Sequence, residues 1–485
     1  MVFSSPIFVF LFLPIVLTVN FLLRGVKARN LLLLLMSLVF YAWAQIDFIP
    51  LLLASTLLNY GLGLWLDRSG NATNRKFILG LAVFINIGLL AFFKYANFAV
   101  RLFDSSLNLV GITPIQVPHI ALPIGISFFT FHALSYVIDV YRRKWRSATD
   151  PKDVALYIFF FPQLIAGPIL RWSAIGPQLR QRTVSRDVFA EGIRRFVGGL
   201  AKKMLIANSV AVQADQIFSL PASQLSTPDA WLGILCYTLQ IYFDFSGYSD
   251  MAVGLGKMFG FEFLENFRFP YLAQSVRDFW RRWHISLTTW FRDYLYIPLG
   301  GNRISPGRTY LNLIVVFFLC GLWHGASLTF VVWGLYHGLF LALERTRLGA
   351  WQAKLPRSLR HLYTILVVMM GWVLFRANTF TDAGHFFRAL FGLSAVPAFA
   401  GTNGRYNMTN LDVWAVILGI LFTGPLWNWM LMLCAKLGQM FPRAGRPVAR
   451  AFGSALEIIL MVTVMLIISI GLAGNTYNPF IYFRF

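Results

Sequence analysis

The sequence predicts an all-α polytopic membrane protein, and three observations carry that reading. The 485-residue chain is 57% hydrophobic, with a mean hydropathy of +0.63 and only 13% charged residues, against about 25% in an ordinary soluble domain. Apolar runs of about 20 residues, the length that crosses a bilayer, recur along it. Basic residues cluster in the short segments between these runs, as they do in cytoplasmic loops.

The formal net charge is +22. In a soluble chain that would suggest nucleic acid. Here orientation in the membrane and anionic headgroups account for it, so the bilayer is the expected partner and nucleic acid is not. The three cysteines, Cys236, Cys320 and Cys434, lie in apolar runs with no CxxC pair and no metal-ligand spacing. Neither disulfides nor a metal site are expected. The first apolar run has no basic residue ahead of it and no small-residue cleavage site after it, which reads as a retained span.

Taken in order, residues 6–23 form the first span. Arg24, Lys27 and Arg29 follow, which puts that loop inside and the N-terminus outside. Residues 30–43 return outward, 49–66 go in, and 77–93 go out. Residues 119–141 come back in and end in YRRKWR, with Pro123 and Gly125 interrupting their start. Residues 154–170 are short and broken by Pro162, Gly167 and Pro168, which suits a re-entrant segment. Residues 189–212 are basic and amphipathic. Residues 231–259 are apolar but contain FDFSGYSD, which places Asp244 and Asp250 deep in a span. Buried intramembrane carboxylates are costly and face a bundle interior or a cavity. Two readings stand: a polar wall, or a helix-breaking cap around Gly247. Further apolar runs occupy 310–322, 328–343, 361–375, 413–433 and 455–472. No polar segment is long enough to bury a core of its own, so residues 1–485 read as one membrane-embedded domain.

The polar stretch 277–303 stands out, with five arginines, two aspartates and a histidine between apolar runs. Read as a helix, residues 276–294 put Val276, Phe279, Trp280, Trp283, Leu287, Trp290 and Phe291 on one face. Such a helix lies at the cytoplasmic interface, with His284 at the aromatic edge. On these residues alone a plain membrane-surface helix is the simpler reading. His324 follows in GLWHG, at the end of an apolar helix. It reads as a buried, hydrogen-bonded core histidine or as a general base for a hydroxyl or thiol. His337 reads as packing or as support for another residue. The chain lacks a GxSxG elbow, an HExxH pair and a P-loop.

These stretches resemble a known family. FWRRWHISLTTWFRDYLYIPLGGNR, with His284, and GLWHG, with His324, are similar to the membrane-bound O-acyltransferase family in its bacterial alginate O-acetyltransferase-like branch. MVFSSPIFVFLFLP, FKYANF (93–98), LPIGISFF (122–129), AGPILR (166–171), YFDFSGYSDMA (242–252) and PFIYFRF (479–485) extend the likeness along the chain.

The resemblance implies a ring of about 9–11 transmembrane helices, with re-entrant and amphipathic helices, around a central tunnel. It implies acyl transfer to a hydroxyl, with catalytic His324 assisted by His284. It implies that an acetyl group from cytoplasmic acetyl-CoA crosses the bacterial inner membrane with no bound cofactor. Periplasmic partner proteins then place it on an exported polysaccharide such as alginate. Cellulose, peptidoglycan and D-alanyl chemistry belong to related proteins. In that setting Arg281 and Arg282 attract the donor at a cytoplasmic mouth. Trp323 flanks the base, and Asp244, Ser246 and Tyr248 line a polar wall.

Overall fold

The computed structural model describes residues 1–109, 118–394, 396–397, 408–426 and 446–474. Among them there are helices and no strand. The first eleven helices are α1 (Leu13–Leu22), α2 (Val26–Gln45), α3 (Ile49–Arg68), α4 (Ala72–Leu109), α5 (Ile126–Tyr141), α6 (Pro151–Phe159), α7 (Phe161–Leu164), α8 (Trp172–Arg180), α9 (Arg186–Ala201), α10 (Asn208–Phe218) and α11 (Thr227–Met258). Then come α12 (Val276–Arg282), α13 (Ile285–Phe291), α14 (Pro306–His324), α15 (Leu328–Leu343), α16 (Arg347–Gln352), α17 (Arg357–Arg376), α18 (Phe380–Leu390), α19 (Asn410–Phe422) and α20 (Arg446–Ala473).

Val26–Arg68, Ala72–Asn108, Pro306–His324, Arg357–Arg376 and Ser454–Ala473 are long and apolar enough to cross a membrane. Shorter apolar helices lie at Phe8–Leu22, Ile126–Tyr141, Leu328–Leu343 and Asn410–Phe422. The chain is thus all-α and multi-pass, and these helices fall on the apolar runs read from the sequence. Part of the run at 413–433, Cys434, the basic markers Lys436 and Arg443, the side chains of Arg446 and Arg450, and the closing residues 475–485 lie outside the described residues.

Residues 276–294 are not one helix. The chain breaks at Trp283 (ψ 129°) and His284 (φ 43°, ψ 55°), which separates α12 from α13. Apolar spacing continues through the break, so periodicity alone could not reveal it. Nor is the aromatic face laid on a membrane surface: Phe279, Trp280 and Trp283 are buried in protein.

Two compact units divide the chain. One comprises Met1–Gly192, Ala252–Leu264 and Leu322–Ala326; the other comprises Ile193–Met251, Glu265–Gly321 and Ser327–Phe485.

In the first unit, α5 packs against α3 and α4 and is buried on nearly every side. Gly63 on α3 makes this approach possible, since a Cβ there would lie 2.4 Å from the Tyr136 ring of α5. Arg75, in the first turn of α4, satisfies helix ends that have no partners of their own. Its guanidinium donates to the Leu66 carbonyl of α3, and to the Val140 and Tyr141 carbonyls of α5 at 3.2 and 2.7 Å. Asn59 and Asn86 bond to each other between α3 and α4 at 3.1 and 2.8 Å. Phe3, Phe8, Phe12, Phe40 and Phe161 form a buried knot with centroids 4.9–6.1 Å apart.

In the second unit, the FDFSGYSD stretch lies within α11, which runs unbroken from Thr227 to Met258. The helix-breaking reading of Gly247 therefore falls. Gly247 is instead a close crossing. A Cβ on it would lie 2.7 Å from the Gly199 carbonyl of α9, and a Cβ on Gly199 2.5 Å from the Gly247 carbonyl. Small residues let apolar helices approach in this way. A π turn at Lys202–Ala207 joins α9 to α10 and brings two lysines to α11. Lys203 Nζ lies 2.7 Å from Asp244 Oδ1, with both side chains almost wholly buried. Lys202 Nζ lies 2.6 Å from Asp250 Oδ2.

Two outcomes are expected. Gly63→Leu should lower the melting temperature in detergent by the equivalent of about 1–3 kcal/mol of overpacking, whereas Gly61→Leu, on the same helix with no atom within 4 Å of its Cβ position, should leave it near wild type. Lys203→Met, which strands a buried carboxylate, should cost about 3–5 kcal/mol, and adding Asp244→Leu should recover most of it. The same melting measurement reads both.

Candidate active site

α14 ends at His324, and Ser327 then starts α15 by accepting the Thr329 N–H at 3.3 Å. The last carbonyls of a helix have no intrahelical donors. Here α4 supplies them: the Tyr95 hydroxyl donates to the Leu322 carbonyl and the Lys94 ammonium to the Trp323 carbonyl. Lys94 Nζ is also 3.4 Å from Ser127 Oγ and 5.7 Å from the centre of the Trp323 ring. Trp323 stacks on Phe131 at 5.4 Å and 10°, and meets Phe128 edge-on at 5.8 Å. The His324 ring stands across Trp323 at 4.8 Å and 73°. Both residues are buried.

The surroundings of this helix end are fixed from further away. Asn97 on α4 donates to the Ile120 carbonyl at 2.7 Å and accepts its N–H at 3.0 Å. Gln45 does the same for the Leu122 carbonyl and the Ile124 N–H, at 3.2 and 2.7 Å. Gly125 then turns into α5 at φ 76°, where a Cβ would lie 2.6 Å from the Leu164 carbonyl. The break at Pro123 and Gly125 is packed against protein.

His284 is the other histidine of interest, in the second unit. Its left-handed backbone is unusual for a residue with a side chain. It is held there by the strand of chain alongside: the Ile285 N–H donates to the Asn266 carbonyl at 2.9 Å, and the Arg268 N–H to the Arg282 carbonyl at 3.0 Å. Asn266 Oδ1 accepts from the Ser286 N–H at 3.1 Å and the Ser286 hydroxyl at 2.9 Å, and lies 3.1 Å from His284 Nδ1. An amide oxygen only accepts, so Nδ1 carries the proton and Nε2 is the basic nitrogen. Burial pushes the imidazole pKa down to about 3, which keeps the ring neutral. Its ring meets Phe245 of α11 edge-on at 4.6 Å. The start of α12 is anchored by Glu344, whose carboxylate accepts the Val276 and Arg277 N–H groups at 2.6 and 3.0 Å.

Asp244, Ser246 and Tyr248 are buried on α11 in the same unit as His284. Asp244 is paired with Lys203. Six residues further along α11, Asp250 meets Lys202 and also Arg195 at 2.8 Å, and Arg195 in turn meets Glu265. In this cluster two carboxylates face two cations. Arg281 is exposed, and Arg282 is half-buried in an ion pair with Asp278 at 2.9 Å. His337 packs within 5.2–5.3 Å of Trp280, Trp333 and Tyr336 and is wholly buried.

Sequence reasoning singled out both histidines but not Lys94, Tyr95 and Asn266 beside them, nor Lys203 beside Asp244. Lys94 and Tyr95 lay in the FKYANF motif without a role. Lys203 was visible only as a basic residue of an amphipathic run. Among the described residues, no group of three or more His, Cys, Asp or Glu could hold a metal ion.

The membrane-bound O-acyltransferase family profile matches residues 36–381. The protein named "Probable alginate O-acetylase AlgI" of Azotobacter vinelandii is 42% identical over 100% of both chains. Its namesake of Pseudomonas aeruginosa is 47% identical over 87% of this chain and 80% of its own. The protein named "Peptidoglycan O-acetyltransferase" of Helicobacter pylori is 37% identical over 82% of this chain and 81% of its own. The chain belongs to the membrane-bound O-acyltransferase family and is an O-acyltransferase.

Proposed function

We propose that this enzyme takes acetyl groups from a cytoplasmic thioester, acetyl-CoA, and delivers them across a bacterial inner membrane for O-acetylation of an exported polysaccharide such as alginate. Its N-terminus faces the periplasm, and periplasmic partner proteins complete the transfer to the polymer. The observation that carries the chemistry is His324. It is a buried imidazole at the end of a helix whose last carbonyls are tied by Lys94 and Tyr95. A base is useful only when its position is held. The names of the relatives support an acetyl group and a glycan hydroxyl. The relative named for peptidoglycan keeps that glycan as the alternative acceptor.

In this reading His324 takes the proton of the attacking hydroxyl as its oxygen bonds to the acetyl carbonyl carbon. The carbon–sulfur bond then breaks, and the proton passes to the departing thiolate. His284 is the assisting residue. Neutral, with Nδ1 committed to Asn266, it presents Nε2 as an acceptor. Asp244, Ser246 and Tyr248 supply a polar wall, on which the Lys203 partner keeps the Asp244 charge balanced. Arg281, exposed on α12, and its neighbour Arg282 attract the donor phosphates.

His324→Ala should lower acetyl transfer by about 10²–10⁴-fold, the range of general-base catalysis, with unchanged melting and membrane insertion. Acetate on the exported polymer, measured by mass spectrometry, reads the loss; undiminished acetylation contradicts the assignment. Arg281→Ser with Arg282→Ser should raise KM for labelled acetyl-CoA and leave kcat near wild type. The difference should shrink as salt rises, since the attraction is screened. A lowered kcat at unchanged KM contradicts that role.

A further inference from the structure

We infer that Lys94 and Tyr95 are positioning residues for the transfer reaction, acting through the C-terminal carbonyls of α14. The inference rests on the reading of His324 as the base.

Both side chains come from consecutive residues near the middle of α4, and each donates to a backbone carbonyl. Tyr95 takes the Leu322 carbonyl and Lys94 the Trp323 carbonyl, the two residues immediately before His324. A lysine inside an apolar helix is expensive to keep unless its charge is compensated. The compensation here is the negative end of the α14 dipole, where a cation is favourable, together with the Ser127 hydroxyl and the face of Trp323. The Trp323 ring is in turn clamped by Phe128 and Phe131 of α5. The FKYANF and LPIGISFF segments therefore converge on one helix end. FKYANF reaches it through hydrogen bonds from Lys94 and Tyr95, and LPIGISFF through Ser127 and the ring of Phe128. With its last carbonyls tied, the final turn of α14 cannot unwind, and the direction of the His324 side chain is set by backbone bonds from α4.

The test is steady-state kinetics of labelled acetyl transfer by the full chain with its partners in membranes. The variants are Lys94→Met, Lys94→Arg, Tyr95→Phe and His324→Ala. Lys94→Met and Tyr95→Phe should lower kcat, the former by about tenfold to a hundredfold as for a small misplacement of a catalytic group. KM for acetyl-CoA should stay unchanged. Lys94→Arg, which keeps a charged donor, should retain most of the wild-type kcat. Should Lys94→Met fail to insert, Tyr95→Phe, which removes a single oxygen, decides the matter on its own. Wild-type kcat in a correctly inserted Tyr95→Phe and Lys94→Met overturns the inference. So does a raised KM at unchanged kcat, which would make these residues donor contacts. Full activity in His324→Ala overturns the reading of the base and the inference with it. A dead His324→Ala beside fully active Lys94 and Tyr95 variants removes the inference alone.

Discussion

A buried helix end must find donors for its last carbonyls inside the protein, and the carboxyl end of α14 depends on this constraint. The helix ends at His324, which leaves the Leu322 and Trp323 carbonyls to be bonded from elsewhere. Tyr95 and Lys94 meet that need. Beside these bonds, the Trp323 ring packs on Phe128 and Phe131 of α5. His324 becomes a fixed feature where it would otherwise be the last residue of a fraying helix.

The same physical rule recurs elsewhere in the molecule. Arg75 ties the ends of α3 and α5, Glu344 ties the start of α12, and Asn266 holds the break between α12 and α13. In each case a long or branched polar side chain reaches an exposed backbone group in apolar surroundings, where an unmade hydrogen bond is costly. Charges obey it as well. Asp244 is matched by Lys203, and the Asp250–Glu265 pair by Lys202 and Arg195. The π turn at Lys202–Ala207 is the local device that aims consecutive lysines at α11.

Much of this was legible in the sequence. Hydropathy located the helices, because apolar runs of spanning length between basic loops admit few other readings. The cost of a buried carboxylate marked Asp244, and two motifs marked His284 and His324. What escaped has a common cause: it depends on contacts between distant segments. The 3.6-residue pattern continues through Trp283 and His284, so the break there is set by the chain at 266–268, not by local spacing. Lys203 reads as one more loop-type cation until α11 is placed beside it. Gly247 reads as a helix breaker until Gly199 is seen against it. Lys94 falls just past the apolar run at 77–93, and its carbonyl partner lies 229 residues away.

The central claim is that His324 is the base that meets the acyl group. The most direct measurement is a structure of the full chain with a non-transferable acetyl-CoA analogue bound. The acetyl carbonyl carbon should lie beside the His324 imidazole, with room for an acceptor hydroxyl within about 2.6–3.2 Å of a ring nitrogen. An acetyl group held in a productive site that His324 does not line would contradict it.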